Sequence, residues 1–156
     1  MSLPLYRVCV AFEVESGHML SKHPGKCKFP HGHTRRIEIV LSSPTLDAND
    51  MVCDFKAVKL AVGDYINSFD HSLALNSEDP LVPKLASVSE RIVLFQKTDP
   101  TTEVLAKGIY DYVAARIREG ATLPDAAGLR YSLPTSLCVE RVRVGETSST
   151  WAEYGL

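Results

Sequence analysis

Long apolar runs are missing from this 156-residue chain. No stretch approaches the roughly 20 apolar residues that cross a bilayer as a helix, so no membrane partner is expected. A charge excess of either sign is missing too: 17 Lys and Arg face 19 Asp and Glu, for a formal net charge of −2. The basic residues are scattered, which leaves no electrostatic footprint for nucleic acid. Repeats and low-complexity tracts are absent, and 45% hydrophobic with 23% charged residues is an ordinary globular composition. One domain over residues 1–156 is the expected organisation. Cysteine is scarce, with four residues (Cys9, Cys27, Cys53 and Cys138) and no C-x-x-C spacing, so neither a redox motif nor a zinc-ribbon knuckle is written. No basic stretch followed by an apolar one opens the chain, which makes the cytoplasm the expected compartment and thiols the expected cysteine state. Cys9, Cys53 and Cys138 lie in or beside apolar runs and read as small buried hydrophobes. Cys27 differs: Lys26 and Lys28 flank it, and neighbouring cations favour a thiolate.

What is present is an alternation of strand and helix signals. Tyr6, Val8, Val10, Phe12 and Val14 repeat at period two, as do Ile37, Ile39 and Leu41, giving two strands separated by a polar Gly- and Pro-containing excursion. Adjacent strands of this kind pair antiparallel. Asp54 is placed to cap a helix to about Ser68, with Phe55, Val58, Val62, Tyr65 and Ile66 on one face. Residues 72–90 read as loop with a few helical turns, and 91–95, a β-branched and aromatic run, as a short strand or extended segment. Asp99 and Pro100 look like the start of a second helix, whose stripe is Leu105, Ile109, Tyr112, Val113 and Ile117 and whose end is Gly120. Residues 121–135 read as loop; strands are expected over Leu137–Val144 and Trp151–Tyr154. The fold class is therefore α+β, an antiparallel sheet with two helices covering one face.

Five histidines occur, and three make a constellation. His31 and His33 flank Gly32 at spacing i, i+2, so an extended chain points both imidazoles to one side. His18 follows the first strand, and a hairpin would bring it beside that pair. Three neutral imidazoles converging on one point make a catalytic zinc shell with an open fourth position. A His-x-His alone is also what an exposed strand edge looks like. Cys27 could instead close the shell, as cysteine does in structural zinc sites.

The blocks Phe12-x-Val14-x-x-Gly17-His18-x-Leu20, Cys27-x-x-x-His31-Gly32-His33, Asp70-His71, Pro100-Thr101-Thr102-Glu103, and Glu146-Thr147 followed by Trp151-Ala152-Glu153-Tyr154 resemble the 6-pyruvoyltetrahydropterin and 6-carboxytetrahydropterin synthase family, from residue 6 to 154. The resemblance implies the tunnelling fold, in which the sheets of several subunits assemble into a barrel, and a homohexamer built as a dimer of trimers with sites between subunits. It implies zinc held by His18, His31 and His33, with Cys27 as thiolate base and Asp70 and His71 completing the proton-transfer group. Glu146 would anchor the pterin ring, helped by Thr101 and Thr102. The implied substrate is 7,8-dihydroneopterin triphosphate. One outcome is elimination of triphosphate to the pyruvoyl product; the other releases acetaldehyde and leaves 6-carboxytetrahydropterin. The three residues between Cys27 and His31 resemble the bacterial carboxy-forming members, of queuosine and 7-deazaguanine biosynthesis, whereas the pyruvoyl-forming animal enzymes have a longer gap there. Segments 72–98 and 121–136 are longer than in compact bacterial members. A zinc- or pterin-binding protein without turnover, and a structural zinc module closed by Cys27, are the readings from other classes.

Overall fold

The computed structural model describes residues 4–156. Two long strands form its spine, β1 (Tyr6–His18) and β2 (His31–Ser43), paired antiparallel from Tyr6 opposite Ser43 to His18 opposite His31. The chain then forms α1 (Phe55–Asn67), β3 (Ser72–Asn76), α2 (Val82–Ala86), β4 (Ile92–Phe95) and α3 (Thr102–Glu119). A small separate hairpin, β5 (Thr122–Pro124) with β6 (Arg130–Ser132), precedes β7 (Cys138–Gly145) and β8 (Trp151–Gly155).

The main sheet has the order β4-β3-β1-β2-β7-β8. Pairing is antiparallel on the β2–β7–β8 side, with a register shift at Val40/Leu41. On the other side β3 lies parallel to β1 and β4 parallel to β3, joined by the crossover that contains α2. The antiparallel expectation thus holds for the spine; β3 is a strand where loop was expected, and β4 falls on the 91–95 segment expected to be extended, both running parallel. Short strands flanked by polar residues carry little period-two signal.

Alternation assigns the faces. Val10, Val14, Ile37, Ile39, Leu41, Val142 and Val144 point to the helical side and are buried with Val58, Val62 and Ile66 of α1 and Leu105, Ile109, Val113 and Ile117 of α3. Each fully buried side chain of this kind stabilises by about 1.5–3 kcal/mol. The outer face carries ion pairs such as Arg7–Glu140 at 2.6 Å and Arg143–Glu153 at 2.8 Å. Cys9 shares that outer parity and is exposed, as is Cys138, so the expectation of burial fails for both; only Cys53 is buried. Composition of the run suggested burial, but strand parity decides it.

The α1 boundary matches its signals, with the Asp54 side chain accepting from the Lys56 N–H at 2.7 Å. For α3 the cap is Thr101, accepting from the Val104 N–H at 3.2 Å, rather than Asp99. Asp99 is taken elsewhere, by the Ser21 hydroxyl, the Lys22 N–H and Asn76. Among the described residues no helix is long and apolar enough to cross a membrane.

Candidate metal centre

The spine ends where the histidines begin. His18 keeps the inward parity of Val10 and Val14, and His31 and His33 keep that of Ile37 and Ile39, so all three rings face the helical side at one end of the sheet. Gly17 and Gly32 are paired between them. A Cβ on Gly32 would sit 3.2 Å from the Ser16 carbonyl oxygen, and one on Gly17 would sit 3.3 Å from the carbonyls of His31 and Ser72. Lacking Cβ atoms, the two glycines let the strands close tightly there. The three ring centroids lie 4.5, 5.1 and 5.1 Å apart.

Outer partners fix which nitrogen faces inward. His18 Nδ1 lies 2.8 Å from the Pro100 carbonyl and His31 Nδ1 lies 2.8 Å from the Phe29 carbonyl. A carbonyl only accepts, so each Nδ1 carries the proton and each Nε2 presents a lone pair. The Arg35 guanidinium is 3.4 Å from His18 Nδ1, too long to compete with the carbonyl. The two Nε2 atoms are 3.0 Å apart, so two lone pairs face each other. His33 Nε2 is buried without a hydrogen-bond partner among the described residues, although Glu146 Oε1 lies 3.3 Å away. One donor atom from each of His18, His31, His33 and Glu146 falls within 4.8 Å of all the others. Mutually facing lone pairs and an orphaned ring nitrogen are what a bound cation resolves, and nitrogen-rich donors at this separation suit zinc.

Electrostatics keep the rings ready for a metal. Burial is the main cause that lowers His18 to about 4; the Pro100 carbonyl opposes it and the Arg35 cation adds to it. His33 is lowered by burial and by Arg35, against the pull of Glu146. Neutral imidazoles are the ligating form.

Arg35 itself is 1% exposed. Its Nε donates to Ser16 Oγ at 2.9 Å, and its Nη1 donates to Thr102 Oγ1 at 3.0 Å and to the Gly145 carbonyl at 3.3 Å. Thr102 in turn donates to Glu146 Oε2 at 2.9 Å. Sequence reasoning missed Arg35, though a signal existed: it shares the parity of Ile37, Ile39 and Leu41, and a charge on an apolar face demands a partner.

The remaining candidates stand at different distances from this cluster. Cys27 is half-buried in a 3-10 turn over Lys26–Lys28, and its carbonyl accepts from the Leu20 N–H at 3.0 Å. Its thiol is not in the converging donor set found among the described residues; a carboxylate, from Glu146, is. His71 is largely exposed and has a left-handed backbone, φ 53°, unusual outside glycine. Its Nδ1 meets Asp70 Oδ2 at 2.8 Å, while Asp70 Oδ1 accepts from the Glu15 N–H at 2.8 Å. That backbone bond and the His71 ring hold the Asp70 carboxyl below its ordinary range. A groove of about 330 Å³ is lined by both His71 and His33. Thr102 belongs to the cluster through Glu146, whereas Thr101 caps α3 and lines a neighbouring cleft with Leu20, Lys22 and His23.

Comparison with known proteins gives a consistent picture. The family model for 6-pyruvoyl tetrahydropterin synthase matches residues 7–155. A 6-carboxy-5,6,7,8-tetrahydropterin synthase from Aquifex aeolicus is 30% identical, over 96% of this chain and 97% of its own. The enzyme of that description from Bacillus subtilis is 31% identical, over 85% of this chain and 82% of its own. Among solved structures, an uncharacterized protein from Wolinella succinogenes has a TM-score of 0.74 at 17% identity, covering 97% of this chain and 98% of its own. A Plasmodium vivax 6-pyruvoyltetrahydropterin synthase has a TM-score of 0.67 at 17% identity, covering 98% of this chain and 99% of its own. At such identities the two structures establish the shared tunnelling fold.

Proposed function

The chain belongs to the 6-pyruvoyl tetrahydropterin synthase family, and from that premise we propose that it is a zinc-dependent lyase acting on 7,8-dihydroneopterin triphosphate. With one water consumed, the products are 6-carboxy-5,6,7,8-tetrahydropterin, acetaldehyde and triphosphate, a reaction that belongs to queuosine and 7-deazaguanine biosynthesis. The observation that carries the reading is the convergence of the His18, His31 and His33 donor atoms on one point. The carboxy-forming choice is supported by the names of the relatives and by the short Cys27-to-His31 gap.

His18, His31 and His33 would hold the zinc, which when bound would supply Lewis-acid polarisation of the substrate's side-chain hydroxyls. The Cys27 thiolate removes the proton from the carbon beside the ring, and His71, oriented by Asp70, carries protons on the other side of the groove. Glu146 accepts from the N–H groups of the pterin edge as a charge-assisted pair, with Thr101 and Thr102 nearby. The protein works in the cytoplasm as one domain per subunit, in a homohexamer built from two trimers. The sheet's outer strands β4 and β8 are the edges along which neighbouring sheets would join.

Replacing Cys27 by Ala tests the assignment. The variant should keep its zinc and lose turnover by about 10²–10⁴-fold, the usual contribution of a general base. Loss of zinc and of stability instead would make Cys27 a ligand of a closed structural site. A pyruvoyl product from the native protein would move the reaction to simple triphosphate elimination.

A further inference from the structure

We infer that Glu146 is the metal's fourth protein ligand when no substrate is bound, aimed by Arg35 through Thr102, and that it leaves the metal when a pterin takes the carboxylate. The inference rests on the three-imidazole metal site proposed above.

The carboxylate is held by one oxygen and free at the other. Oε2 accepts from the Thr102 hydroxyl at 2.9 Å, and Thr102 is 3% exposed, so that end of the group is fixed. Oε1 then points to the imidazoles and stops 3.3 Å from His33 Nε2 without forming a hydrogen bond, and that nitrogen has no other partner among the described residues. A carboxylate oxygen and an unpartnered ring nitrogen at that separation are two ligand atoms of one cation rather than a bonded pair. The common 4.8 Å envelope already includes Oε1 with the three imidazoles. Cysteine, which would otherwise close such a site, is not in that envelope.

Arg35 explains why the carboxylate is set in this way. A guanidinium buried to 1% exposure needs a countercharge, and its hydrogen bonds run to Ser16, Thr102 and the Gly145 carbonyl rather than to any carboxylate. Glu146 is one hydroxyl away, at the end of the Arg35–Thr102–Glu146 chain. The hydroxyl relays the cation's pull to Oε2 and leaves Oε1 to the metal. An acid engaged at both oxygens in this way cannot also bind a pterin edge through two N–H groups. The two duties of Glu146 therefore alternate, and taking up the pterin opens the metal's fourth position to the substrate hydroxyls.

The test titrates Co²⁺ into metal-free full-length protein and follows its visible bands and its affinity in the native protein and in His31→Ala, Glu146→Gln and Thr102→Val. The native protein should bind one equivalent, and His31→Ala should lose it. Glu146→Gln should bind on the order of 100-fold more weakly with altered bands, and Thr102→Val about tenfold more weakly, the range known for partners of ligating groups. Glu146 is half-buried and Gln matches its shape; unfolding curves of the metal-free variants check that each is folded. If His31→Ala binds cobalt like the native protein, the three-imidazole reading falls. If His31→Ala loses cobalt while Glu146→Gln and Thr102→Val keep native affinity and bands, the fourth-ligand inference falls alone. Neopterin, its binding followed by its own fluorescence, should shift the native cobalt bands and leave those of Glu146→Gln unmoved; native bands unchanged at saturation overturn the exchange.

Discussion

Histidine 18 carries the first consequence that solution measurements can reach. Its ordinary value near 6.5 applies in the unfolded chain, and burial lowers it to about 4 in the folded one. Between those limits the unfolded chain takes up a proton that the folded chain refuses, so the stabilisation is complete above about pH 6.5 and is lost as pH falls towards 4. His33 shifts in the same direction. The metal-free protein should lose stability on the order of a few kcal/mol over that window, at about 1.4 kcal/mol per pH unit for one group. Urea unfolding at several pH values measures this, and a profile flat from pH 7 to pH 4 would contradict it. The imidazole trio was legible in the sequence because two local facts, the i, i+2 spacing and the hairpin, suffice to gather it. Arg35 was legible in principle by parity. The Pro100 and Phe29 carbonyls that orient the rings were not, because a backbone acceptor has no residue signature and only the fold brings residue 100 to residue 18.

Elements show the same division. Helix α1 was readable to within a residue because its cap, stripe and length agree. The start of α3 was read two residues early: Asp-Pro is a good helix opening in isolation, but tertiary partners claim the Asp99 carboxylate and Thr101 takes the cap. The end of α3 was legible, since Gly120 has the left-handed φ of 58° that an αL cap requires. A Cβ there would also meet Thr135 Cγ2 at 2.7 Å. Gly120→Ala should therefore destabilise by roughly 1–2 kcal/mol, read as a fall in Tm with metal content unchanged; an unchanged Tm would remove the cap argument. Thr101→Ala should cost about 1 kcal/mol as a lost N-cap. If Thr101 also helps to seat the pterin, KM should rise as well; destabilisation with native KM would confine it to the cap. Strand β3 was missed because five residues with polar neighbours look like loop until β1 and β4 are placed on either side.

At the scale of the whole molecule, a metal held by the three imidazoles would couple folding to function. A ligand bound only by the folded chain adds about 4 kcal/mol when its free concentration is 1,000 times Kd. Zinc should therefore raise Tm by several degrees and a chelator should reverse it, with His33→Ala insensitive to both; equal Tm values with zinc and with chelator would count against the site. Sedimentation should find a hexamer. Segment 72–98 extends the sheet, with Ala74 paired directly beside His18, and 121–136 carries a hairpin fastened to α1 by Lys56–Asp125 at 2.5 Å. The decisive measurement is turnover of 7,8-dihydroneopterin triphosphate by the zinc-loaded protein, with products identified by mass and acetaldehyde assayed in parallel. The account expects 6-carboxytetrahydropterin with acetaldehyde and triphosphate in equal amounts, abolished by Cys27→Ala; intact substrate after prolonged incubation with fully zinc-loaded protein would contradict it.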